Sequence, residues 1–210
     1  MTGERWGPFN GSIVHTSYGK AALFVVLHDV VDGVAQGGVW QMPLRFESGI
    51  QRARFNPADG QLYVAGLRGW QSGGSKDGCF QRVRHTGGPV RAPTALRATE
   101  KGLHLTFATP LDPASAADLS NYDIEQWNYR WTADYGSADY SVENPTKKGR
   151  DTVEVKSAKL AADGRTVFLE MPAIRPVMQM GIAYKLKSAG GRDVSGVVYN
   201  TINKLGENVR

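Results

Sequence analysis

Glycine, proline, asparagine and aspartate interrupt this chain about every 8–12 residues, and the segments between them alternate apolar with polar side chains. Segments that short leave little room for amphipathic helices, so the spacing predicts an all-β chain of antiparallel meanders. The clearest instance is residues 49–74, GIQRARFNPADGQLYVAGLRGWQSGG. Residues 50–55 are predicted as a strand with Arg52 and Arg54 on one face and Ile50, Ala53 and Phe55 as the bulk around them. Asn56-Pro57-Ala58-Asp59-Gly60 is a turn, because Pro57 presets φ and Asp59-Gly60 accepts positive φ. Residues 61–65 then form a short apolar strand, followed by a glycine-rich loop carrying Trp70.

Strands are predicted at 12–17, 21–29, 34–42 and 79–85 on the same logic, with Gly37-Gly38 marking a bulge or a close approach. On the last of these Phe80, Arg82 and Arg84 alternate to one side. No helix signal occurs in residues 1–85. The sequence HTGGPVRAP then changes texture and reads as a linker. Beyond it, strands are predicted at 95–99, 102–108, 122–131, 152–160, 166–171, 181–187 and 197–202, with a short helical turn over 114–119. That count suits a sandwich of immunoglobulin type.

The balance of charge narrows the partners. Of 25 Lys+Arg and 20 Asp+Glu in the chain, residues 1–97 hold 11 and 6, and residues 98–210 hold 14 and 14, so the whole excess of +5 lies in the first part. That is too mild and scattered for a nucleic-acid footprint, which needs a clustered basic face. No apolar run approaches the roughly 20 residues of a membrane helix. The single Cys79 excludes an internal disulfide and is expected to be a small buried hydrophobe. Four scattered histidines give no metal-ligand spacing, and His15 and His28, on apolar strands, are expected in the core. Asp112 and Asp118 are expected to be turn and cap residues.

Several segments together resemble a known architecture. GPFNGSIVHTSYGKAALFVV, VDGVAQGGVWQMPLRFESGIQRARFNPADGQLYVAGLRGWQ and DGCFQRVRHTG resemble the end of a six-bladed β-propeller of the soluble quinoprotein glucose/sorbosone dehydrogenase type. LTFATPLDPASAADLSNYDIEQWNYRWTADYGS and GRDTVEVKSAKLAADGRTVFLEMPAIRPVMQM resemble the Ig-like domain that follows such a propeller in large planctomycete and verrucomicrobial proteins. The resemblance implies partial propeller blades over residues 1–88, a linker at 89–93, an Ig-like or fibronectin-like sandwich at 94–204 and a tail at 205–210. It also implies that the chain is the C-terminal portion of a longer exported protein, periplasmic or at the cell surface. The first residues, MTGERWGPFNG, carry neither a basic n-region nor an apolar h-region, so no signal peptide is expected in this chain.

In that family a lysine and an Arg-x-Arg pair contact the carboxylates and quinone oxygens of pyrroloquinoline quinone (PQQ). The resemblance carries these roles to Lys20, Arg52 and Arg54; guanidinium forks bind carboxylates in bidentate fashion. The family's catalytic histidine lies in an early blade outside this sequence, so no catalytic residue and no cofactor are expected for the chain alone. PQQ, and haem c on another domain, would belong to the parent, and the remaining blades would be the chain's partners. The competing expectation is a non-catalytic glycan-binding or scaffolding module. Trp127, Tyr129 and Trp131 alternate, and on one strand face their rings could stack on sugars. Structural roles compete at each position: Arg52 and Arg54 as a solvated face or paired with Glu47 and Asp59, Lys20 as a turn lysine, and the aromatic rings as packing.

Overall fold

A computed structural model describes Met1 and residues 4–207. The described residues form an all-β protein of antiparallel sheets, none of them closed. It divides into two compact units, Met1–Val26 with Val39–Val90, and Leu27–Gly38 with Arg91 onward. The second unit therefore begins beyond Val90 and also takes the tip of a hairpin from the first part of the sequence.

The strands β2 (Ala22–Val31) and β3 (Val34–Gln41) are neighbours whose tip, Leu27–Gly38, belongs to the second unit, and in the first unit β1 (Ile13–Ser17) pairs antiparallel with residues 22–26 of β2. A separate three-stranded sheet runs β4 (Gly49–Phe55), β5 (Leu62–Leu67), β6 (Gly78–Val83) in that order. Trp6 is almost fully buried, meets Phe55 edge-on at 5.5 Å, and donates its indole N–H to the Gly60 carbonyl at 2.9 Å. The indole thereby satisfies its only polar group inside the core while closing the 56–60 turn. Gly66 can only be glycine, since a Cβ there would sit 2.0 Å from the Gly49 oxygen.

In the second unit, one sheet is ordered β11 (Ser157–Leu160), β12 (Thr166–Glu170), β8 (Gly102–Phe107), β7 (Pro93–Thr99). The other holds β14 (Asp193–Ile202), β13 (Val177–Lys187), β9 (Tyr122–Trp127) and the two-residue β10 (Asp151–Thr152), with β3 next to β14. Alternation buries Leu103, Leu105 and Phe107 of one sheet and Ile124, Ile182 and Tyr184 of the other. Phe107 and Tyr184 meet edge-to-face at 5.2 Å, a contact between rings of the two sheets. Each such side chain contributes roughly 1.5–3 kcal/mol of burial.

The short helix α1 (Pro113–Ala117) starts as its sequence dictates, with Pro113 at its first turn and the Asp112 carboxylate accepting from the Ser115 N–H at 2.7 Å. Asp118 likewise accepts from the Ser120 N–H at 3.0 Å. Of the expected tail at 205–210, Gly206 exchanges backbone hydrogen bonds with Ala98 and Glu100 at the end of β7, and residues 208–210 lie outside the described residues.

Candidate ligand-binding surfaces

The two arginines of the first part sit on β4, and a bulge decides which way they face. Ile50 pairs with Gly66 and Arg52 with Ala65, so the register shifts between Ile50 and Arg52. Strict alternation would put Ile50 on the arginine side; the extra residue turns it into the core, where it is 1% exposed, and leaves Arg52 and Arg54 exposed. Arg52 and Arg54 each donate to a backbone carbonyl of their own strand, Gln51 at 2.9 Å and Ala53 at 2.7 Å. Among the described residues neither has an ion-pair partner. Glu47 pairs instead with Lys76, and Asp59 accepts from the Gln61 N–H at 2.9 Å and the Tyr63 hydroxyl at 2.8 Å, hydrogen bonds that hold its carboxyl below the usual range.

The same sheet face carries residues that the sequence left unconnected to the arginine pair. Arg54 lies opposite Tyr63, which lies opposite Arg82, and Arg52 lies opposite Ala65, which lies opposite Phe80. At about 4.8 Å per strand, the backbones of Arg54 and Arg82 are about 10 Å apart. The Tyr63 and Phe80 rings stack with centroids 5.8 Å apart, and Phe80 is 74% exposed. The face thus combines three guanidinium groups with two rings. Part of its signal was present in the Asp59-Gly60 turn, which sets Phe55 opposite Leu62 and the β4–β5 pairs back to Arg52 opposite Ala65.

Lys20 is exposed in the turn between β1 and β2, its N–H bonded to the Ser17 hydroxyl at 3.2 Å. It lines a cleft of about 690 Å³ together with the 41–47 segment, Gly73 and Ser75; neither Arg52 nor Arg54 lines it. The guanidinium pair therefore fits carboxylates, being exposed, forked and unpaired by acids, while Lys20 belongs to a different wall.

The aromatic set is divided by the structure. Strand β9 ends at Trp127, so the expected strand over 122–131 is shorter and the three rings do not share a strand face. Trp127 is 3% exposed, with the Arg150 guanidinium 3.8 Å from its ring centroid and its N–H donated to the Tyr129 hydroxyl at 3.2 Å. Trp131 is fully exposed at 103%, Tyr135 is exposed, and Tyr129 is 41% exposed. The loop that carries them has an ordered base. Asn128 bridges Tyr140, Tyr140 bridges Lys148, and Asp151 accepts from the Ser141 hydroxyl and from the N–H groups of Val142 and Glu143. Arg150 ties Asp139 and Glu125 together. Trp127 is thus a packing residue, and Trp131 and Tyr129 are the rings of the set that reach solvent.

The histidines expected in the core are not there. His15 is exposed on β1, and His28 is exposed because alternation along β2 buries its neighbours Leu27 and Asp29 on the other face. Cys79 is free and half-buried rather than fully buried. No cluster of His, Cys, Asp or Glu suited to a metal ion occurs among the described residues, and none of their helices is long and apolar enough to cross a membrane. Searches against family models, curated proteins and solved structures match nothing.

Proposed function

We propose that this chain is the C-terminal, non-catalytic binding portion of a larger exported protein of the quinoprotein sugar-dehydrogenase type. In this reading β4–β6 belong to a terminal propeller blade, the second unit is an Ig-like sandwich, and the remaining blades of the parent are the chain's partners. The observation that carries the reading is the pair Arg52 and Arg54, held side by side on an open sheet face with no carboxylate to neutralise them. Two guanidinium groups at alternate strand positions, about 7 Å apart, suit a rigid ligand bearing more than one carboxylate. When bound, PQQ would supply the electron acceptor for sugar oxidation. The residues of this chain would hold its carboxylates, and the histidine that removes the substrate proton would come from elsewhere in the parent. The periplasm or cell surface is the matching location, with haem c on another domain as the electron outlet. The test is quinone-dependent dye reduction with sugars by the parent: uptake of PQQ and sugar-dependent reduction support the reading, and a complete parent that takes up no quinone overturns it.

A second reading rests on a separate observation, the full exposure of Trp131 on a loop with a hydrogen-bonded base. An apolar ring held out in water four residues beyond the end of β9, next to that base, suits the flat face of a sugar ring. This reading makes the second unit a glycan-binding module, and it requires binding to polysaccharide that weakens in Trp131→Ala.

A further inference from the structure

The second unit has a cleft of its own, about 570 Å³, between the hairpin tip and the outer face of the β11-β12-β8-β7 sheet. Its floor is set by register. Arg97 of β7 lies opposite His104 of β8, and the imidazole of His104 packs against Phe168 of β12 at 4.7 Å. One step along the strands, Thr106 lies opposite Thr166, their hydroxyls 2.9 Å apart. His28 and Asp29 form the wall from the hairpin, and Asp163 closes the side at the β11–β12 turn.

The polar groups of this cleft divide into committed acceptors and uncommitted donors. Asp163 accepts from the N–H groups of Arg165 and Thr166 and from the Thr166 hydroxyl. Asp29, nearly buried, accepts from the Gln36 amide at 3.2 Å. Arg97 reaches Asp29 only at 3.8 Å, an ion pair without a hydrogen bond, and neither Arg97, His28 nor His104 makes a side-chain hydrogen bond among the described residues. The Arg97 guanidinium, paired only loosely with Asp29, and two imidazoles without a hydrogen bond of their own thus line a cleft whose carboxylates already accept from other groups. Burial, with Arg97 nearby, holds His104 below the usual histidine range, so near neutral pH it offers one N–H donor and one acceptor.

We propose that this cleft binds a small hydroxylated carboxylate, a sugar acid, with its carboxylate on Arg97 and His104 and its hydroxyls on Thr106 and Thr166. A neutral sugar would leave the Arg97 fork unanswered. A long polyanion would have to pass Asp29 and Asp163, which border the same space and repel it. A monocarboxylate brings a single charge into the cleft and would share the Arg97 guanidinium with Asp29. The site lies wholly within the second unit and is independent of the arginine pair on β4.

Calorimetric titration of the chain with galacturonate, gluconate, galactose and inorganic phosphate tests this. A sugar acid is expected to bind at least about ten-fold tighter than galactose, the loss of one charge-assisted contact being worth that much. Arg97→Ala should abolish that preference. Because this change also removes the neighbour of Asp29, His104→Gln and Thr106→Val serve as companions that leave the Arg97–Asp29 pair in place; each should weaken the acid several-fold with unchanged circular dichroism. Absence of binding by both acids, equal binding of galactose, or phosphate binding as well as the acids each overturns the assignment.

Discussion

The guanidinium of Arg150 lies 3.8 Å from the ring centroid of Trp127 and bonds through its other edge to Asp139 and Glu125. The ring that alternation offered as a ligand surface is instead covered by a cation, and the same cation closes the base of the aromatic loop. The rings of that set that reach solvent are Trp131 and Tyr129.

Trp127 and Trp131 should behave oppositely when truncated. Trp127→Ala removes a buried indole and should cost about 3–5 kcal/mol in urea unfolding. Trp131→Ala removes a fully exposed one and should change stability by less than about 0.5 kcal/mol. Equal costs would contradict the division between packing and exposed rings.

Gly37 should tolerate no side chain. Its φ is +130°, and a Cβ there would lie 2.0 Å from the Leu27 oxygen. Gly37→Ala should destabilise the second unit by more than about 2 kcal/mol. Gly191→Ala, at positive φ but in open space, should cost only about 1 kcal/mol. Thermal unfolding of the two variants compares them directly.

Acid should act partly through the β11–β12 turn. The Thr166 hydroxyl and the N–H groups of Arg165 and Thr166 hold the Asp163 carboxyl below the usual range. A depressed folded-state value contributes stability above the unfolded value of about 3.9, lost as pH falls through the folded one. Urea midpoints should therefore drop between pH 5 and pH 2, and Asp163→Asn should flatten part of that drop. An unchanged pH dependence in the variant would count against this role.

Most strands were legible because their signals are local. Residues 102–107 alternate cleanly, residues 166–170 are a short β-rich run after Asp163-Gly164, each is followed by a proline within three residues, and both became strands within a residue of the expected ends. Gly37-Gly38 was legible as a close approach for the same reason. What failed needed information from distant residues. The strand predicted to run to residue 131 stops at Trp127, because beyond it Asn128 pairs with Tyr140 of the loop rather than continuing beside β13. The expected strand over 152–160 breaks into β10 and β11, which belong to different sheets. His28 lies on an apolar stretch, yet period-two geometry alone puts it outside once Leu27 is inside. The Arg52–Arg54 pair was visible as a motif, while its neighbours Tyr63, Phe80 and Arg82 became part of one face only through the register of β4, β5 and β6.

The glycan reading makes its own demand on the loop. Affinity for a polysaccharide that depends on Trp131 should also fall when Asp151→Ala removes the acceptor holding Ser141, Val142 and Glu143. Pull-down on insoluble polysaccharides measures both variants, and binding indifferent to Trp131 would remove this reading.

The account turns on whether the arginine face of β4 takes a multiply charged carboxylate ligand. Equilibrium dialysis of PQQ against the parent protein and its Arg52→Ala/Arg54→Ala variant measures this directly. The account predicts salt-sensitive binding by the parent and at least about ten-fold weaker binding by the variant, the loss of one or two charge-assisted contacts. No binding, or binding that the two substitutions leave unchanged, would contradict it.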